Sequence, residues 1–410
     1  MTQDTDILIV GGSLTGTTLA QSATRAGFRV VLADQSDATL GTDPTFDGRS
    51  YAVALASQRL LARIGMWDAL AQNAEPILGI KVSDGRVGQA PSRFHLDFDH
   101  SALGDDPMGY MVEDRHLRQI LGATLKANPE IDYRPGTKVV AQRTEGQSII
   151  AELADGSELK AALLIGADGR QGATAERAKL KKLGWKYAQT ALVCAIEHAR
   201  SLNGVAHQLF LPAGPLAILP LRDNRASIVW SEDVSFAQDI QNLDDEAYLD
   251  ALRLRLGNFL GEIKLDGKRY TYPLSLSLAQ DLIGPRCALV GDSAHGVHPI
   301  AGQGLNAGFR DIAALTEVLS EARQRGEDIG TELVLERYQA WRRFDTTTLA
   351  MATDGFNRLF SNDNGFLRAL RGAGMGFVNS MPRLKTSFIK EAAGLTGTLP
   401  KLMRANPAPY

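Results

Sequence analysis

The 410-residue sequence predicts an α/β fold in three parts: a nucleotide-binding type of domain on a parallel sheet, a mostly antiparallel β domain inserted into it, and a C-terminal helical region. Three observations carry this. The apolar run Ile7–Val10 enters a glycine turn, a helical pattern from Thr15 to Ala26 and a second strand, Arg29–Asp34, which is a βαβ opening. Between 185 and 275 the pattern changes to short alternating runs such as ALVCAI, HQLFL, LAILPL and ASIVW. The first pattern then resumes at CALVGDSAH and passes into a long helix from about Gly304, and everything beyond Glu332 reads as helical.

The elements between follow the same logic. A helix is expected over Ala56–Leu70 and another over Asp114–Lys126, the latter stopping before Asn128-Pro129. Short strands at Val139-Val140, Ile149–Leu153 and Leu159, with Asp155-Gly156 as a hairpin turn, precede the apolar strand Leu163–Ile165. One charged helix, Leu243–Leu256, interrupts the antiparallel region. The domain division is therefore 1–72, 110–180 and 276–350 for the first domain, 73–109 and 181–275 for the inserted substrate domain, and 351–410 for the helical region.

Composition excludes several classes. Apolar residues make up 44% and charged residues 22%, and the formal charge of -3 points to no nucleic-acid partner. Cys194 and Cys287 both sit in apolar runs, as buried thiols do. The acidic MTQDTD start lacks a signal-peptide pattern and no run reaches the length of a spanning helix, so a cytoplasmic location is expected, with at most peripheral attachment at the inner face of the membrane.

Gly11-Gly12-Ser13-Leu14-Thr15-Gly16 matches the dinucleotide fingerprint G-x-G-x-x-G in its strand-before, helix-after context, except that Ser13 holds the middle glycine position. A serine hydroxyl there can itself bond a phosphate oxygen. Asp34 ends the second strand 23 residues after Gly11, where a carboxylate accepts adenosine ribose hydroxyls, so the nucleotide is NAD or FAD. The downstream run chooses between them. In ALVGDSAH a strand ends in Gly291-Asp292, placed to bond a ribityl chain, and Gly302-Gln303-Gly304-Leu305-Asn306 turns into a helix whose positive end suits the flavin edge that gains charge on reduction. These residues point to FAD in a Rossmann-like FAD-binding domain.

A third stretch, Gly166-Ala167-Asp168-Gly169-Arg170, makes the pattern nameable. GGSLTG, GADG, GDSAH and AGQGLN in this order resemble the single-component flavoprotein monooxygenases of the para-hydroxybenzoate hydroxylase superfamily. The resemblance places Asp168-Gly169 where flavin and pyridine nucleotide approach, adds Arg49 and Arg118 as residues that bond FAD phosphates or ring oxygens, and puts Pro299 beside the flavin edge. The family continues after Asp-Gly with a serine and then an arginine, and this chain has Gly172 and Ala175 there, which leaves the electron donor open between NAD(P)H and a ferredoxin system.

The tail TDGFNRLFSNDNGFLRALRGAGMGFVNSMPRLKTSFIKEAAGLTGTLPKL resembles the C-terminus of the ubiquinone-biosynthesis flavin hydroxylases, and that likeness extends over nearly the whole chain. It implies insertion of one atom of O2 into the ring of a polyprenylated phenol through a flavin C4a-hydroperoxide, with other ubiquinone-biosynthesis proteins as candidate partners. Because the flavin carries the oxidation, no protein acid or base is singled out. Hydroxylation of a soluble aromatic compound and a non-catalytic FAD-binding scaffold are the competing readings. His295 and His298 have an i, i+3 spacing but no third ligand is apparent, so no metal is expected. Residues 355–404 carry eight basic and two acidic side chains among Phe356, Leu359, Phe360, Phe366 and other apolar residues, which reads either as a membrane-surface contact or as a cap packed on the FAD domain.

Overall fold

The computed structural model describes residues 4–36, 48–88, 95–297, 302–360, 378 and 381–405, with backbone alone for 356–358 and 360. The strand Thr5–Val10 is the axis of the first sheet. It pairs in parallel with Val30–Ala33 on one side and Glu158–Gly166 on the other, Ile9 lying opposite Leu32 and Ile165. Cys287–Leu289 and Ile131–Arg134 extend the parallel sheet outward, and Val139–Glu145 with Ser148–Leu153 folds back antiparallel on Glu158–Gly166 around the expected Asp155-Gly156 turn. Alternation along the strands divides two cores. Ile7, Ile9, Leu32, Leu163 and Ile165 face the helices, whereas Leu8, Val10, Val31 and Leu164 face the antiparallel strands.

Besides the C-terminal helix, the α-helices used below are α1 Leu14–Arg25, α2 Leu55–Arg63, α3 Trp67–Ala71, α4 Asp114–Ala127, α5 Thr174–Arg177, α6 Val234–Gln241, α7 Asp245–Leu256, α8 Gln303–Gln324 and α9 Glu332–Phe360. Two differ from expectation. The single helix over 56–70 is α2 and α3, because Gly65 takes a left-handed φ of 77° that ends one helix and starts a new direction. The charged helix of the inserted region is preceded by α6, and Asp244 separates α6 from α7 by accepting the Ala247 N–H at 2.9 Å as an N-cap.

The second sheet is antiparallel apart from one pairing, Val205–Leu211 with Gly79–Asp84. Its longest strands, Lys182–His198 and Ile263–Ala279, pair with each other, and α6 and α7 close one face over Leu192, Ile218, Ile228 and Trp230. A short strand His295–Gly296 joins its edge at Ser277 and Leu278, only a few residues after Cys287–Leu289 has left the first sheet. That segment stitches the two sheets together. A small third sheet, Ser50–Ala54 with Gly109–Glu113 and Glu75–Ile77, was not legible as strands.

The last described residues pack on the protein. In the C-terminal helix Pro382–Ala392, Ile389 is buried with Ile77, Met108 and Met111. The chain then crosses α2, α8 and α9: Ala56 N–H donates to Ala393 O, Arg310 donates to the carbonyls of Gly394 and Thr396, Trp341 Nε1 donates to Thr398 O, and Lys401 N–H donates to Glu317. Phe366 and the neighbouring tail residues of the expected membrane face lie outside the described residues.

Candidate functional site

The glycine turn works by close approach. Gly11 has a φ of 108°, and a Cβ there would stand 2.5 Å from Ala167 O, so the turn lies directly on the strand that carries the Asp-Gly loop. A Cβ on Gly12 would reach 2.6 Å from Asp34 Oδ2, and one on Gly16 would collide with Gly11 O. Asp34 braces this turn, accepting Gly12 N–H at 3.1 Å and Ser36 N–H at 3.0 Å. Ser13 is the N-cap residue of α1, yet its exposed hydroxyl makes no capping bond and the first turn of α1 carries no acid. A hydroxyl and a bare positive helix end are thus presented together, as a phosphate requires.

The second turn is held from beneath. Gly291, with a φ of 58°, donates its N–H to Asp311 Oδ2 at 2.9 Å, and it packs so closely on Thr15 and Gly308 that α1, the turn and α8 meet at three small residues. Asp311 is fully buried. Its Oδ2 also meets His295 Nε2 at 2.5 Å, and its Oδ1 accepts Arg342 Nε at 2.8 Å, while Arg342 Nη1 reaches Asp345 at 2.6 Å. Burial works against charge on all three groups, but their mutual attraction prevails: the His295 and Arg342 pKa values are raised and that of Asp311 is lowered. Asn306 performs a similar bracing task at the start of α8, accepting Ala54 N–H at 2.8 Å and donating to Ala52 O at 2.7 Å and Gly302 O at 3.2 Å. Gly302, with a φ of 62°, caps α8, and Gln303, Gly304 and Leu305 form an acid-free first turn that is partly open.

The Asp-Gly loop is locked onto this second turn. Asp168 Oδ1 accepts the Ser293 hydroxyl at 3.0 Å, and the same hydroxyl oxygen accepts Gly169 N–H at 2.8 Å. Asp168 Oδ2 accepts both the N–H and the hydroxyl of Thr174, at 2.9 and 2.7 Å. Arg170 Nε lies 3.0 Å from Asp292 Oδ2, and its other nitrogens donate to Ser275 and to Val297 O, tying the loop to the long strand of the second sheet. The departure at Gly172 and Ala175 acquires a geometric reason. A Cβ on Gly172 would collide with the Asp168 carboxylate, and two residues beyond each position stand Thr174, which donates to that carboxylate, and Arg177, whose Nη2 donates to Thr174 Oγ1 at 2.7 Å while its other nitrogens donate to Gln142 and Val139 O. The three-residue spacing of serine and arginine is preserved, shifted along the chain.

Arg49 and Arg118 come together on one oxygen. Asp114 Oδ2 lies 2.9 Å from Arg49 Nη2 and 2.5 Å from Arg118 Nε, with Asp114 buried at the first residue of α4 and both guanidinium groups partly open. Pro299 and His298 lie outside the described residues. Ser293, Asp311 and Arg342 escaped sequence reading because their partners lie far along the chain, whereas Asp114, Thr174 and Arg177 bond partners within a few residues and went unread. The preserved spacing of Thr174 and Arg177 was the one signal that could have been found.

These residues fit FAD: two glycine-lined turns that a side chain would fill, a free hydroxyl at one helix start, an acid-free start of a second helix, and paired arginines beside them. The comparisons agree. A family model described as an FAD binding domain matches residues 4–351. The chain is 41% identical to ubiquinone hydroxylase UbiL of Rhodospirillum rubrum over 98% of this chain and 93% of that protein, and 33% identical to 3-demethoxyubiquinol 3-hydroxylase of Escherichia coli over 96% and 99%. The crystal structure of p-nitrophenol 4-monooxygenase from Pseudomonas putida shares the fold, with a TM-score of 0.77 at 20% identity over 97% of this chain and 99% of that one. Fold and site therefore define an FAD-dependent aromatic-ring monooxygenase. The chain belongs to the ubiquinone-biosynthesis flavin hydroxylases within the para-hydroxybenzoate hydroxylase superfamily.

Proposed function

We propose that this enzyme hydroxylates the aromatic ring of a polyprenylated phenol on the route to ubiquinone. The observation that carries the reading is end-to-end similarity to ubiquinone hydroxylases in a chain whose three motif loops are all locked in place by their own side chains. One atom of O2 replaces a ring hydrogen as hydroxyl, the other leaves as water, and two electrons come from NAD(P)H or a ferredoxin system. Bound FAD supplies the activation of O2.

The chain's own residues bind and orient. Ser13 and the start of α1 would hold the pyrophosphate, Asp34 the adenosine ribose, Asp292 the ribityl chain, and Arg49 and Arg118 remaining phosphate or ring oxygens. Gly302–Asn306 at the acid-free start of α8 would hold the flavin edge, where the positive helix end would favour added negative charge. The supply of hydroxyl and guanidinium by Thr174 and Arg177 supports a working enzyme over a non-catalytic scaffold.

No described helix is long and apolar enough to cross a membrane. Access to a prenylated substrate then requires contact at the membrane surface or with a partner protein of the pathway. Incubation of the FAD-loaded enzyme with a prenylphenol, isotopically labelled O2 and either reductant tests the reading. One labelled oxygen in the product supports it, whereas FAD reduction with unchanged phenol removes it.

A further inference from the structure

Ten residues that flavin binding leaves largely unused, Ala178 to Tyr187 (AKLKKLGWKY), contain four lysines and no carboxylate. They lead from α5 into the long strand Lys182–His198, and Lys179, Lys181 and Lys186 are exposed along them. Beside these cations Leu183 is 57% and Trp185 43% exposed. Directly paired residues share a sheet face, and Leu183 and Trp185 lie opposite Leu278 and Leu276. Leu276 and Leu278 pack with Tyr187 and Ala350, so Leu183 and Trp185 stand on the face that α9 crosses.

The helix adds to the same surface. Tyr187 hydroxyl donates to Asp354 Oδ1 at 2.9 Å, which identifies the flank of α9 that faces the lysine-rich strand. Met351 lies three residues before Asp354 and Phe344 seven before Met351, a spacing that sets both on that flank, and they are 71% and 76% exposed. Arg343 lies 3.7 Å from Asp281 at the end of the same strand pair. Leu183, Trp185, Met351 and Phe344 therefore form an apolar surface edged by Lys179 and Lys181, with Lys186 beside it on the strand's other face. It borders the flavin site, because Lys182 Nζ donates to Arg170 O at 3.3 Å, and Arg170 holds Asp292.

We propose that this surface docks the enzyme on an anionic lipid bilayer. The proposal rests on the reading of a lipid-borne substrate and names the surface through which the enzyme reaches it. The chemistry favours lipid over an acidic protein. Lysines edging exposed tryptophan, leucine, methionine and phenylalanine suit the head-group layer, where aromatic and aliphatic groups enter the apolar boundary and ammonium groups meet lipid phosphates.

The test uses the full FAD-loaded enzyme and vesicles of phosphatidylglycerol mixed with phosphatidylcholine, compared with phosphatidylcholine alone. The wild type is expected to co-sediment with the anionic vesicles and to be released by high salt. Lys179→Gln/Lys181→Gln/Lys186→Gln should weaken binding roughly a hundredfold, and Met351→Ser severalfold, with FAD content and melting temperature unchanged. Brominated acyl chains should quench part of the tryptophan emission, and Trp185→Phe should abolish that quenching. Unchanged vesicle binding in the triple variant overturns the proposal, as does absence of binding by the wild type. A concentration-dependent dimer abolished by Met351→Ser, without vesicle binding, overturns it in favour of self-association. Turnover of a detergent-dispersed prenylphenol is read separately. Vesicle binding without turnover rejects the substrate, and turnover without vesicle binding rejects only the docking surface.

Discussion

Ser293 stands between Asp168 and Gly169, its hydroxyl donating a hydrogen bond to the Asp168 carboxylate at 3.0 Å and accepting one from Gly169 N–H at 2.8 Å. One hydroxyl thereby joins two loops that are more than a hundred residues apart in sequence. Ser293→Ala leaves a partly buried backbone donor and a carboxylate oxygen without this partner, a cost of about 1 kcal/mol. The expected outcome is a melting temperature lowered by several degrees and FAD bound at least several times more weakly in fluorescence titration. Full FAD affinity would remove the hydroxyl from the site's construction.

Gly172→Ser restores the residue that the family pattern calls for, and it is expected to damage the protein. A Cβ at that position meets the Asp168 carboxylate, which Thr174 and Ser293 hold from both sides. Thr174→Ser should keep near wild-type FAD content, because the hydroxyl remains. Thr174→Val should lose it in part and slow reduction by the productive electron donor in stopped-flow measurements. If Gly172→Ser were neutral and Thr174→Val harmless, the two-residue shift would have no functional meaning.

Asp114→Asn separates Arg49 and Arg118 from their shared anchor. Hydrogen bonds to charged groups contribute about 1.5–3 kcal/mol, so FAD affinity should fall roughly tenfold or more. Asp114→Glu should recover only part of this, since the longer side chain moves both guanidinium groups. Equilibrium titration with FAD reads the result directly, and unaltered binding in Asp114→Asn would show that the arginines act independently of their anchor.

The His295–Asp311–Arg342 cluster predicts a pH profile. The folded pKa of His295 is raised, so its stabilisation is complete below the ordinary histidine value and is lost as pH rises through the folded value. Asp311 is lowered, so its contribution is present above the ordinary aspartate value and is lost as pH falls through the folded one. Thermal melting should show a plateau between these limits. His295→Gln should narrow its deficit from the wild type as pH rises, and Asp311→Asn, which leaves the buried Arg342 guanidinium with Asp345 as its remaining carboxylate and takes the counter-charge from His295, should cost about 3 kcal/mol. A deficit for His295→Gln that is independent of pH would rule out this linkage.

The amino-acid sequence by itself determined the parallel and antiparallel parts of the fold, because apolar period and glycine turns are local: Ile7–Val10, Gly11–Gly16, Gly291-Asp292 and Gly302–Asn306 announce their conformations from their immediate neighbours. It also carried the family, since the order of those turns survives across a whole chain. It did not show the strand Ser50–Ala54 or α6, whose formation depends on partners they meet only in the folded chain, and the local stop at Gly65 was masked by a continuous apolar helical pattern. Nor did it show what the motif residues touch. Tertiary structure decided that Asp168 bonds Ser293 and Thr174, that Arg49 and Arg118 converge on Asp114, and that Asp311 supports Gly291 from below. The physical reason is that a hydrogen bond or ion pair acts over a few ångströms in space, and the chain brings such partners together only when helices and sheets have packed.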